Sequence, residues 1–213
     1  MPDLFPGFAV ARVDARLPLP QWEEIISALR RDSARVEACR ADPGCSDRPA
    51  RRVAGLVERL ASSDRSHQIA AVNEAVNAVP YESDAQKFGT QDRWQSPLDF
   101  FDGSGDCEDF AIAKYFMLRQ LGVSDDDLRI VIYFEPRNQA MHAILASTAD
   151  GRMAILDNRS ARITSVADYP AAAPKYAVNV GKRWVFVRLD ERLAGREKEV
   201  VEMPMPAEAT PGR

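Results

Sequence analysis

Apolar residues along this chain follow a helical period as far as Gly122 and a strand period beyond it. Helices first and strands after restrict the chain to an α+β fold, a helical layer packed on an antiparallel sheet. Pro20 opens the helical half, and Trp22, Ile25, Ile26, Leu29 and Val36 follow at helical spacing, with an end expected near Cys39. A second helix is expected over 49–61, with Val53, Leu56, Val57 and Leu60 on one face, and a third over 66–78, carrying Ile69, Val72 and Val76. Residues 80–95 read as irregular. Ser96-Pro97-Leu98-Asp99 has a capping Ser, a Pro at the first helical position and an early acid, so a short helix starts there. A further helix is expected over 107–121, with Phe110, Ala113, Met117 and Leu121 in register and Gly122 closing it. Strands are expected over 129–135, 141–148, 152–157, 176–180 and 183–189, the last two as a hairpin around Gly181-Lys182. The expected organisation is an extended lead-in over 1–20, one domain over 21–201 and a flexible tail over 202–213. Within that domain, helices fill 21–121 and the sheet fills 129–189.

With 213 residues and 46% apolar content, the chain can bury one real core. A formal charge of −4 gives no reason to expect a nucleic-acid partner. No apolar run approaches the roughly 18 residues needed to span a bilayer. Residues 1–20 carry Asp3, Arg12, Asp14, Arg16 and several prolines, so they do not read as a secretion signal.

The chemistry concentrates in Gly103-Ser104-Gly105-Asp106-Cys107-Glu108-Asp109-Phe110. It sets one cysteine at the start of the 107–121 helix, where backbone N–H groups and the helix dipole favour thiolate. His142 lies on the 141–148 strand and Asp157 at the end of the next one, joined by Ala149-Asp150-Gly151. Asp-Gly is a strong hairpin signal. With Asp150-Gly151 as the loop, His142 faces Arg159 and Asp157 is its diagonal neighbour; with Ala149-Asp150 as the loop, His142 faces Asp157 directly. Both registers put imidazole and carboxylate on one face. Cys107 as nucleophile, His142 as proton carrier and Asp157 as its orienting carboxylate make a Cys-His-Asp triad. Each residue alone would more often be a small buried Cys, a satisfied His and a strand-end cap; their order on one helix and one hairpin favours the triad. His67 falls among polar residues of the third helix and reads as part of a solvated face.

Asp106, Glu108 and Asp109 work against a thiolate, because neighbouring carboxylates raise a thiol's pKa. Two readings stand side by side: the acids hold a calcium ion, which suits clustered oxygen ligands, or they cap the helix. Trp94 and Gln91 are candidate oxyanion donors through indole and amide N–H, set against a core Trp and a loop Gln. Cys39 and Cys45 flank the turn sequence Ala41-Asp42-Pro43-Gly44, a spacing that suits a local disulfide in an oxidising compartment and leaves Cys107 as the odd thiol. The alternative is three reduced, unrelated cysteines.

Over Ile69–Arg159 the chain resembles the bacterial transglutaminase-like cysteine proteinases, among them the LapG-type periplasmic proteases. The resemblance rests on Val72-Asn73, Asn77, Tyr81-Glu82-Ser83-Asp84, Phe88-Gly89, Asp92-Arg93-Trp94 and Ser96-Pro97-Leu98-Asp99-Phe100. It continues through Gly105 to Phe116, Leu118-Arg119, Leu121-Gly122-Val123, His142 and Leu156-Asp157-Asn158. It implies a papain/transglutaminase-like fold, a triad at Cys107, His142 and Asp157, and calcium-associated acids at Asp106, Glu108 and Asp109. It further implies a periplasmic location, a membrane-linked adhesin as substrate, and an inner-membrane cyclic-di-GMP receptor as partner. Arg93 stands where the family commonly has an aromatic residue, and Ala143-Ile144-Leu145 stands in place of Met-Val-Leu after the His. The same triad would also serve a transglutaminase or amide transferase, and the fold without the chemistry would be a binding module.

Overall fold

The computed structural model describes residues 5–13, 19–90, 92–149 and 151–189; the tail expected over 202–213 and Gln91 lie outside the described residues. The helices are α1 (Pro20–Ala41), α2 (Arg48–Leu60), α3 (Arg65–Asn77), α4 (Asp84–Lys87), α5 (Pro97–Asp102) and α6 (Cys107–Gln120). The strands are β1 (Phe8–Val13), β2 (Leu128–Glu135), β3 (Ala140–Ala149), β4 (Arg152–Leu156), β5 (Ala173–Val178) and β6 (Arg183–Arg188). They form one six-stranded sheet in the order β1-β6-β5-β2-β3-β4, antiparallel at every pairing. The expected α+β class holds.

Two expectations change. The sheet does not begin at 129: residues 8–13 of the lead-in pair with β6, Phe8 opposite Arg188 and Val13 opposite Arg183. Phe8 and Val10 pack onto a core of Phe5, Tyr133, Trp184 and Phe186. The strand is six residues long, too short to stand out from its Pro- and Gly-rich flanks. Within the stretch expected to be irregular, α4 forms a single turn, fixed by a reciprocal capping box between Ser83 and Gln86.

Both faces of the sheet are covered, so β2 is buried along most of its length. Ile130, Ile132, Ala143 and Leu145 face the helical layer, while Val131, Tyr133, Ile144 and Ala146 face the second core. α6 lies against β2 and β3 and is hydrophobic nearly all round, as a central helix must be. α1 ties the layers together. The Trp22 indole donates to the Asn179 carbonyl at 3.1 Å, and Asp32 accepts the Leu98 backbone N–H at 2.9 Å, capping α5 from another helix. Cys39 and Cys45 form a disulfide between the end of α1 and the approach to α2. No helix among the described residues is long and apolar enough to cross a membrane.

Candidate active site

Cys107 is the first residue of α6 and the free thiol among the described residues. The loop before it is held by α4 and by the chain at 80–82: Gly105 N–H donates to the Pro80 carbonyl and Glu82 N–H to the Gly105 carbonyl. Gly105 admits no side chain, because a Cβ there would lie 2.6 Å from Asp109 Oδ2 and 2.7 Å from the Phe100 ring. This close approach is why the residue two positions before the thiol is glycine.

The β3–β4 hairpin adopts the register in which Ala149 faces Arg152 and Leu145 faces Leu156. This is the register with Asp150-Gly151 as the loop; Gly151 takes the positive φ of 72° that such a turn requires, and Asp150 lies outside the described residues. Asp157 is therefore the diagonal neighbour of His142. Its Oδ1 meets His142 Nε2 at 2.9 Å, with both side chains buried. Tyr133 meets the imidazole edge-on with ring centroids 5.5 Å apart.

Asp157 is well supplied with donors. Oδ1 also accepts the Arg159 backbone N–H at 2.9 Å, Oδ2 accepts the Tyr169 hydroxyl at 3.0 Å, and its carbonyl accepts Asn77 Nδ2 at 3.0 Å. Burial works against its charge, yet the hydrogen bond and charge of His142, with the Arg159 and Tyr169 donors, hold the carboxyl below its ordinary range. His142 Nδ1 is buried without a hydrogen-bond partner among the described residues.

The thiol packs against the core that includes Ala143, the residue after the histidine, and the Ala143 backbone N–H favours its ionised form. Its own proton goes elsewhere: Sγ donates to Glu108 Oε2 at 3.2 Å. Burial, then the Glu108 carboxylate, push the thiol well above its usual range, outweighing the helix start that favours thiolate.

The acids around it sort differently from expectation. Asp109 is turned away from the cluster: its Oδ1 accepts the Gln95 backbone N–H at 2.7 Å, and its Oδ2 accepts the Gln95 amide and, at 3.3 Å, the Asp106 N–H. It caps α6 and fixes the 92–96 loop. Asp84, on α4, takes its place, and one ligand atom from each of Asp84, Asp106 and Glu108 lies within 4.8 Å of the others. Asp84 Oδ1 and Asp106 Oδ1 are buried without partners among the described residues. Burial, then the charge of Asp106, push Glu108 up to about 8; burial also raises Asp106, and takes Asp109 to about 7 despite its Gln95 donors. Three converging hard-oxygen donors, two with orphaned atoms, fit a calcium ion.

Trp94 does not present its indole N–H to the thiol: it donates to Asp92 Oδ1 at 3.0 Å, and the ring packs edge-on to Trp22 at 6.2 Å. The other oxyanion candidate, Gln91, lies outside the described residues. His67 is exposed on α3, as its polar neighbours suggested. Asp84 and Tyr169 were missed as site residues because their partners are distant in sequence. Asp84 carried one faint signal, its place beside the capping Ser83.

A cysteine opening the central helix of an α+β fold, beside a His–Asp pair on an antiparallel hairpin, is the layout of a transglutaminase-like cysteine peptidase. Residues 36–188 match the model of the bacterial transglutaminase-like cysteine proteinases, and the chain belongs to this family. Among solved structures it is similar to Legionella pneumophila LapG at 30% identity, covering 72% of this chain and 87% of that one with a TM-score of 0.60. The calcium-bound form of that protein matches at 29% identity over 74% and 87% of the two chains, TM-score 0.59. Its EGTA-treated form matches at 29% over 77% and 92%, TM-score 0.61. A search of curated proteins finds no match. The protein is a cysteine peptidase of the transglutaminase-like type.

Proposed function

We propose that this protein is a periplasmic, calcium-supported endopeptidase that cleaves a surface adhesin through a Cys107-His142-Asp157 triad. One observation carries the triad: the helix α6 that Cys107 opens packs on β3, whose histidine has its Nε2 locked to Asp157 and its Nδ1 without a partner among the described residues. With Nε2 as the donor to Asp157, Nδ1 is the atom left to take the thiol proton. The thiolate attacks the scissile carbonyl carbon, and His142 returns the proton to the leaving amine as the C–N bond breaks. A thioester on Cys107 remains. Water, deprotonated by the same imidazole, attacks the thioester and frees the thiol.

Asp84, Asp106 and Glu108 would hold the calcium, with the Asp84 and Asp106 orphaned oxygens as ligands. Calcium there would supply positive charge beside the nucleophile, and Glu108 as its ligand would no longer take the thiol proton. LapG solved in calcium-bound and EGTA-treated forms supports a calcium role. The Cys39–Cys45 disulfide supports an oxidising compartment. The adhesin, and a cyclic-di-GMP receptor as a sequestering partner, rest on the resemblance of residues 69–159 to LapG-type proteases.

The test is labelling by a peptidyl acyloxymethyl ketone, read by intact mass. Expected is one adduct on Cys107, lost in Cys107→Ala and in folded His142→Ala, and slowed by EGTA. Equal labelling of His142→Ala would sink the triad. Indifference to EGTA would sink the calcium role. Peptide products carrying an added amine instead of a new carboxylate would replace hydrolysis with amide transfer.

A further inference from the structure

Asp157 follows the end of β4, and several elements packed around it send groups toward its carboxylate, while Asn77 of α3 takes its backbone carbonyl. His142 comes from β3, Arg159 N–H from the following turn, Tyr169 from the segment after a short 3-10 turn, and Lys114 from α6 as the facing cation. The Arg159 guanidinium is taken up by Glu135 at 2.7 Å. Tyr133 bears only its ring edge, on His142 at 5.5 Å and on Tyr169 at 5.9 Å.

Tyr169 differs from the others in having a partner behind it. Its hydroxyl oxygen lies 2.9 Å from Thr164 Oγ1 and 3.0 Å from Asp157 Oδ2. An ionised carboxylate only accepts, so the tyrosine proton must point at Asp157, and the Thr164 proton is then shared between the tyrosine oxygen at 2.9 Å and the Ile155 carbonyl at 3.3 Å. The segment bearing both residues is tied to β4 by two backbone bonds between Ile155 and Thr164, at 2.9 and 3.0 Å. A polarised chain from Thr164 through Tyr169 thus ends on the oxygen of Asp157 that His142 does not use.

Building on the triad reading above, we propose that Tyr169 is a positioning residue for the reaction. By holding Oδ2 it stops the carboxylate turning about its last bond and keeps Oδ1 in line with Nε2–H. That in turn keeps the ring proton on Nε2 and Nδ1 open to the thiol. Tyr169 touches no reacting atom; it acts through Asp157.

Three variants separate this role from packing: Tyr169→Phe, which removes only the oxygen, Thr164→Val, and Asp157→Ala as reference. Two readouts apply: inactivation by the peptidyl acyloxymethyl ketone, split into kinact and KI, and the proton resonance of His142 Nε2–H. The chain has two histidines. His142 is 2% exposed and His67 is exposed, so only the His142 ring proton is sheltered from solvent exchange. In Tyr169→Phe, kinact should fall about ten- to hundredfold with KI unchanged, and the resonance should shift and broaden. Thr164→Val should move both the same way by less, and it carries the test if Tyr169→Phe does not fold. Unchanged kinact and resonance in Tyr169→Phe, beside a large loss in Asp157→Ala, would overturn the inference alone. So would a loss of kinact with an unmoved resonance, which marks packing. No loss in folded Asp157→Ala would remove the triad itself.

Discussion

Asp157 and Glu108 are buried to a similar degree, 4% and 8% exposed, and yet their carboxyls shift in opposite directions. Asp157 meets three donors and the imidazole's charge, so its ionised form is favoured despite burial. Glu108 meets the charge of Asp106 and only a weak thiol donor, so burial wins and it resists ionisation. Burial sets the penalty in both places; the donors decide who bears it. In the His–Asp half of the site the carboxylate is satisfied by donors within the chain. In the half around Cys107 not every carboxylate is, and orphaned atoms on Asp84 and Asp106 mark where a cation would complete it.

The sharpest way to break this contrast is Asp157→Ala. It strips the His–Asp half of its centre and should slow acylation of Cys107 about a thousandfold or more at unchanged fold, read by pre-steady-state labelling. Next in size is the incomplete half. Burial and the charge of Asp106 push folded Glu108 up to about 8 from its ordinary 4.5, so between these values the metal-free folded protein holds a proton that the unfolded chain has lost. Metal-free stability should therefore fall as pH rises from about 4.5 to about 8. Calcium at a hundredfold excess over its Kd should add about 2.7 kcal/mol, with the larger rise in Tm at pH 8 than at pH 5. Melting curves with calcium and with EGTA at the two pH values check this.

Lys114 sharpens the comparison from beneath. It is fully buried and its Nζ has no hydrogen-bond partner among the described residues. Burial lowers it to about 7, against the attraction of Asp157. Between about 7 and its unfolded value of 10.5, the unfolded chain holds the extra proton, so its penalty is full below 7 and relieved as pH rises. Lys114→Met should raise stability by about 2 kcal/mol at pH 6 and by less at pH 9, measured by denaturant unfolding. The smallest effect is expected at Glu135→Gln. Its pair with Arg159 is partly exposed, and its loss should cost below about 1 kcal/mol and leave Cys107 acylation unaltered.

Much of the fold was legible because it is written in short repeats. The period change at Gly122, the capping Ser96 and the Asp-Gly turn gave the class, the helices and the hairpin that joins His142 to Asp157. β1 escaped because six residues among prolines and glycines carry too little signal without the partner β6.

Side-chain partners were a different matter. Sequence neighbours suggested Asp109 as a calcium ligand, and packing gave it to Gln95 instead. Asp84 entered the acid cluster from 22 residues upstream of Asp106, and the Trp94 N–H went to Asp92. By itself the sequence determined which segments are helix and strand, where the thiol stands and which hairpin carries its partners, because those follow from period, caps and turns. Only the tertiary structure decided which oxygens are satisfied and which are left bare, because a hydrogen bond depends on tenths of an ångström between segments that local patterning does not align.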